Sequence, residues 1–219
     1  PGPDGILYAF EALSQSASSQ KVQSFKQVWK FDCGPDAPKE NIHSYLKNRK
    51  ESPINFFGMP VFFNNRIYVT GGGDIWWGKE EAWLKCIDAT KTGDITETGE
   101  IWTSALVKHS ASTPAISNGH IYVTDCGKNL HCIDAENGNS YWTHKLWRDS
   151  WSSALVADQK VYVGSRGSDF RILQEGAELT VLDSVKLDSP IHSTPVAANG
   201  VLYVSTMRKL YAIKQSDTK

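Results

Sequence analysis

Apolar and polar positions alternate along this chain in short runs closed by turn-forming residues, and no useful length keeps the period of an amphipathic helix. Four runs share an apolar-Tyr-Val pattern: Arg66-Ile67-Tyr68-Val69-Thr70, His120-Ile121-Tyr122-Val123-Thr124, Lys160-Val161-Tyr162-Val163-Gly164 and Val201-Leu202-Tyr203-Val204-Ser205. Their tyrosines lie 54, 40 and 41 residues apart. Each run is followed by a second strand-like segment: Leu84–Asp88, Leu130–Asp134, Phe170–Leu173 and Leu210–Ile213, with Leu7-Tyr8-Ala9-Phe10 as an early member. A third series holds tryptophan at Val28-Trp29, Ile101-Trp102 and Tyr141-Trp142, and Val185-Lys186-Leu187 takes its place in the next unit. A fourth series opens each unit: Gly58–Phe62, Ser112–Ile116, Ser152–Val156 and Ser193–Ala197. Asn64-Asn65, Asn118-Gly119, Asp158-Gln159 and Asn199-Gly200 join the first two strands as hairpin turns. Four antiparallel strands recurring after about 40 residues are the arithmetic of a propeller blade. The pattern predicts an all-β fold, a β-propeller of four-stranded antiparallel blades.

The strand count divides one partial domain, 1–219, into a half blade over 7–33, blades over 54–106, 109–147 and 151–188, and an incomplete blade over 190–214. It gives 17 strands in about four to five blades, beginning and ending in mid-blade. An open arc would expose unpaired edges. The expectation is the C-terminal part of a seven- or eight-bladed ring, with further blades upstream or a second chain covering the open sides.

Composition narrows the partners. With 23 basic and 24 acidic side chains the net charge is −1, which gives no excess to steer the chain onto nucleic acid. No apolar run reaches the length of a membrane helix, and Pro1-Gly2-Pro3-Asp4-Gly5 does not read as a signal peptide. Four cysteines, Cys33, Cys86, Cys126 and Cys132, include no CxxC pair. Cys86 and Cys132 share one repeat position and read as small buried side chains, whereas Cys126 and Cys132 flank one hairpin and would bridge only if geometry allowed.

The composite unit, Ser112-Thr113-Pro114-Ala115 through Asn118-Gly119-His120-Ile121-Tyr122-Val123 and Leu130-His131-Cys132-Ile133-Asp134-Ala135-Glu136-Asn137-Gly138 to Tyr141-Trp142, resembles the repeat of the pyrroloquinoline-quinone (PQQ) type propellers. The resemblance covers nearly the whole chain, and the paired signatures of WD40 blades are absent. It implies that Trp29, Trp102 and Trp142 dock between neighbouring blades. One branch of the family comprises periplasmic quinoprotein dehydrogenases that use PQQ and calcium, and hold the quinone between a tryptophan and an adjacent Cys-Cys disulfide. No two cysteines are adjacent here. The chain is more similar to the non-catalytic branch, which includes the propeller lipoprotein of outer-membrane assembly. The resemblance thus implies a periplasmic or secreted binding scaffold without a cofactor; the alternative is a PQQ- and calcium-dependent alcohol or sugar dehydrogenase.

In a propeller the connections from strand two to three and from strand four to the next strand one share a face. The two longest insertions, 34–53 and 71–83, are of these types and are expected to be neighbours on one rim, where long connectors commonly serve function. The segment 71–83 carries three glycines with Asp74, Trp76, Trp77 and Trp83. Flat apolar rings beside carboxylates suit a sugar, a quinone or a partner protein; the other reading is that these indoles pack the loop down. Same-face connections add His109, Arg148, Asp149, Trp151, Arg166 and His192. His109 and His192 with Asp125 or Asp149 lack metal-ligand spacing. The expected partner is a protein or carbohydrate on this face.

Overall fold

The computed structural model describes residues 4–13, 24–45, 47–76 and 78–214. Among them, 18 strands form five sheets. The first sheet pairs β1 (Ile6–Phe10) antiparallel with β2 (Gln27–Asp32). The second orders β3 (Val61–Phe63), β4 (Arg66–Gly72), β5 (Ala82–Asp88) and, beyond the short β6 (Gly93–Asp94), β7 (Glu100–Ala105). The third holds β8 (Ala115–Ser117), β9 (His120–Asp125), β10 (Asn129–Asp134) and β11 (Ser140–Lys145). The fourth holds β12 (Leu155–Ala157), β13 (Lys160–Gly164), β14 (Asp169–Gln174) and β15 (Val181–Lys186). The fifth stops at three: β16 (Val196–Ala198), β17 (Val201–Ser205) and β18 (Leu210–Lys214). The fold is all-β, as the repeat predicts.

The strand count is one higher than expected because β6 leaves the connection between β5 and β7 and pairs parallel with β2 of the first sheet. Ile95, 1% exposed, anchors this strap, and its N–H donates to the Lys30 carbonyl. The predicted hairpin turns have the geometry a two-residue turn between right-twisted strands demands: φ is positive at Asn64 and Asn65, Asn118 and Gly119, Asp158 and Gln159, and Asn199 and Gly200. Strands three and four shift register at one repeat position, after Ala9, Cys86, Cys132 and Ile172, which adds twist to each outer strand.

The core lies between blades. Tyr68, Leu84, Cys86 and Trp102 of the second blade pack against Ile121, Val123 and Ile133 of the third. One repeat later, Tyr122, Leu130, Cys132 and Trp142 pack against Val161, Val163 and Leu173. Such burial contributes about 1.5–3 kcal/mol for each large apolar side chain. Polar anchors set the docking. Tyr68 Oη and Trp102 Nε1 both donate to the Ala135 carbonyl, at 3.1 and 3.3 Å. Trp142 Nε1 donates to the Gly176 carbonyl at 3.1 Å, while Gly176 N–H donates to Tyr122 Oη at 2.8 Å. Trp102 and Trp142 therefore act as the resemblance implies.

Nearer the axis, the segments entering successive blades are tied in sequence. Met59 N–H donates to Thr113 Oγ1 at 3.0 Å, Thr113 N–H to Ser153 Oγ at 2.9 Å, and Ser153 N–H to Thr194 Oγ1 at 3.1 Å. All four cysteines are free, so Cys126 and Cys132 form no bridge. Burial pushes the Cys132 thiol up to about 12. No helix among the described residues is long and apolar enough to cross a membrane.

Candidate functional site

The rim is built by one hydrogen bond repeated in three blades. The turn from strand two to strand three binds the segment that enters the same blade: Cys126 N–H to His109 O at 2.7 Å, Arg166 N–H to Asp149 O at 3.0 Å, and Met207 N–H to Pro190 O at 2.9 Å. Below each turn sits a polar plug. In the third blade Asp125 is fully buried and accepts from Gly127 N–H, Asn129 N–H and the Asn129 amide, while His131 Nε2 lies 2.8 Å from its other oxygen. Burial pushes the Asp125 carboxyl pKa up, but the His131 and Asn129 hydrogen bonds overcome it, and the pKa lies below 3.8. The fourth blade uses Ser165 and Asp169 in the same way.

In the second blade that turn is replaced by a long connector. β4 runs through Gly72 and β5 begins at Ala82, so the connector is 73–81, shorter at both ends than the sequence suggests. Gly72 has no room for a Cβ, which would stand 2.0 Å from the Glu81 carbonyl. The insertions are neighbours, as expected: Lys79 N–H donates to Ser52 Oγ at 2.9 Å and Arg49 Nη2 to the Trp76 carbonyl at 3.0 Å. Between them lies a cleft of about 450 Å³ lined by Gly34, Lys50, Ser52, Gly73, Lys79 and Glu81.

The third blade's entry segment clamps the connector. Lys108 Nζ reaches Glu80 at 3.2 Å, and His109 Nε2 lies 3.2 Å from the Lys79 carbonyl. A carbonyl only accepts, so this nitrogen carries the proton. Burial pulls the His109 pKa below 6.5 despite that bond and the nearby Asp74 and Glu80. The connector's indole then reaches the fourth blade. Trp76, 52% exposed, meets Trp151 edge-on, with ring centres 6.0 Å apart and planes at 69°. The Arg166 guanidinium lies 4.6 Å over the Trp151 ring, and Asp149 joins both, accepting from Arg166 at 2.9 Å and from Trp151 Nε1 at 3.1 Å. His192, from the fifth blade's entry, packs on Trp151 at 5.9 Å. Four separate connections thus converge on one indole, with a cation–π contact worth about 0.5–1 kcal/mol at an exposed site.

The structure brings together Trp76, Asp149, Trp151, Arg166 and His192 from the predicted set. Arg148 stands beside them, exposed, its stem crossing Gly167. Trp83 is elsewhere: it belongs to β5, is 4% exposed and packs against Phe56 and Gly71 in the core. Trp77 lies outside the described residues. His109 and His192 serve different neighbours, and among the described residues no group of three or more His, Cys, Asp or Glu is placed to hold a metal. Of the clamp residues only Glu80 stands out in the sequence, as a carboxylate of the glycine-tryptophan segment; no spacing relates it to Arg49, Lys79 or Lys108.

Residues 80–183 match the family model of outer membrane protein assembly factor BamB. The crystal structure of BamB from Moraxella catarrhalis superposes with a TM-score of 0.62 at 14% identity, over 86% of this chain and 50% of that one. The chain therefore spans half the length of that relative. The computationally designed Ika4 protein superposes with a TM-score of 0.53 at 9% identity, covering 70% of this chain and 89% of that one. No curated protein matches by sequence. Over residues 80–183 the sequence is thus similar to the BamB-type PQQ repeat, and the fold of the described residues is that of part of a β-propeller.

Proposed function

We propose that this chain is part of a non-enzymatic propeller scaffold that holds a partner protein on the rim built around Trp151. The observation that carries the reading is the convergence of Trp76, Arg166, Asp149 and His192 on that indole from four connections. Half-exposed aromatic anchors flanked by a salt bridge are the composition of a protein docking site. The family match to an outer membrane protein assembly factor supports a place on the periplasmic side. Further blades complete the ring in this reading, because the alignment covers only 50% of the matched relative and the fifth sheet offers the next blade an equipped face. Tyr203, Leu210 and Ala212 stand there where Tyr122, Leu130 and Cys132 bury against a neighbour in the third blade.

The rim does not fit a quinone. A stacked quinone needs parallel ring faces, but one face of Trp151 is covered by Arg166, and Trp76 meets it at 69°. The test is photo-crosslinking, in the source cells, from a photoreactive residue at position 151 or, as the control, at position 178 on the opposite rim. A defined adduct from 151 alone supports the reading; none from 151, or tryptophan quenching by micromolar PQQ with calcium, overturns it.

A further inference from the structure

Within blades three to five the two faces carry opposite charge, although the chain as a whole is near neutral. In blades three to five, the connections on the Trp151 face hold Lys108, Lys128, Arg148, Arg166, Arg208 and Lys209 against Asp125, Asp149 and Asp188. The connections on the opposite face, from blade two onward, hold Asp94, Glu97, Glu136, Asp158, Glu175 and Glu178 against Lys91. Pairing sharpens the contrast on the upper side. Asp125 is buried in its own network, while Lys128, Arg148, Arg208 and Lys209 are exposed and make no ion pair among the described residues. On the lower side Asp94, Glu136 and Asp158 are answered by Lys30, Arg66 and Lys160 from the strands, and Glu97 and Glu178 stay exposed.

Apolar surface is interleaved with the upper cations. Trp147 is 55% exposed beside Arg148, and Met207 is 65% exposed beside Arg208. Lys186 Nζ lies 4.7 Å over the Trp147 ring, which adds another cation to the same arc. Trp147, Arg148, Met207 and Arg208 sit on connections already fixed by the rim hydrogen bonds, so the surface is set before a ligand arrives.

We infer that this arc, from Trp147 and Arg148 to Met207 and Lys209, docks an extended acidic segment of a partner protein, with carboxylates on the unpaired cations and apolar side chains on Trp147 and Met207. The inference rests on the scaffold reading above and names the chemistry of its partner. A polypeptide suits the arc better than an anionic lipid surface, because Asp149 and Asp188 stand among the cations. Their carboxylates can accept from peptide N–H groups but repel lipid phosphates. Complementary charge of this kind speeds encounter and discriminates among partners, and its effect falls with added salt.

The experiment uses fluorescence anisotropy of the chain with a short labelled peptide in which Glu alternates with Phe and Ser, and with its Lys-for-Glu counterpart. Phosphatidylglycerol vesicles form a separate arm. Expected are binding of the acidic peptide that weakens as salt rises, and a loss of about tenfold or more in the combined variant Arg148→Glu, Arg208→Glu, Lys209→Glu. The combined Glu97→Lys, Glu178→Lys variant on the opposite face should bind as the parent does. Urea midpoints and the milder Arg148→Gln variant separate lost binding from lost folding. No binding of the acidic peptide, equal binding of the Lys counterpart, undiminished binding by the folded charge-reversed variant, or capture of vesicles without peptide each overturns the inference. An adduct from position 151 alongside any of these results leaves the scaffold reading standing, whereas loss of that adduct as well removes both.

Discussion

A buried carboxylate at the head of a tight turn has two tasks here. Asp125 gathers two backbone N–H groups, one amide and one imidazole, and thereby shapes the turn that binds the His109 carbonyl on the rim. Its carboxyl pKa is depressed in the folded state, so the stabilisation is complete above the unfolded value near 3.8 and is lost as pH falls through the lower folded value. Asp125→Ala removes one partner from a buried set and is expected to cost about 3 kcal/mol. Asp125→Asn should flatten the acid side of stability against pH, read as urea midpoints from pH 5 downward. An acid limb unchanged in Asp125→Asn would place the acid sensitivity in other carboxylates. The network was within reach of the sequence: pairing β9 with β10 through their turn puts Asp125 opposite Asn129, with His131 two positions further on.

At the scale of strands and connections, whatever follows from alternation and turn chemistry was legible, and whatever depends on contact between distant segments was not. The four-strand unit, its Asn-rich turns and the adjacency of the two insertions could be read because each repeats or follows from topology. The strap β6 is hidden in the sequence, since Gly93 and Asp94 are residues that strands disfavour and their partners in β2, Trp29 and Lys30, lie 64 residues earlier. Gly71 and Gly72 look like strand breakers and so place Trp83 in a loop by sequence, yet Gly71 is what allows β4 to lie against that indole and Gly72 what lets it approach the Glu81 carbonyl. The meeting of Trp76 with Trp151 has no signature at any spacing. The strap offers a local test. Asp32 N–H donates to Thr96 Oγ1 at 3.1 Å, so Thr96→Val leaves it without this acceptor. Hydrogen exchange should then quicken at Asp32 and its neighbours in β2 while β9 and β10 keep their protection. Ile95→Ala should cost about 2–4 kcal/mol, because it empties a fully enclosed site.

Across the whole arc, protection is expected to fall from the middle blades towards the fifth. Every residue of β16 is exposed, as are four of the five in β18, including Leu210 at 68%. A face equipped for packing but left bare is also a route to association. The chain alone should sediment with a concentration-dependent mass, and Leu210→Lys should shift it toward monomer without changing the far-ultraviolet circular dichroism. A mass independent of concentration in the parent would count against the bare face as the associating surface. Exchange measured on the same material should place β16 to β18 at the low end of protection and β9, β10 and β13 at the high end.

The chain of bonds from Met59 to Thr113, Ser153 and Thr194 has a consequence for size. Each entering segment grips only its successor, so the angle between adjacent units is decided joint by joint. The number of units in a closed circle is a full turn divided by that angle. Any single joint therefore encodes the circumference, and duplicating one repeat in the gene would make the circle overshoot its own start rather than widen it.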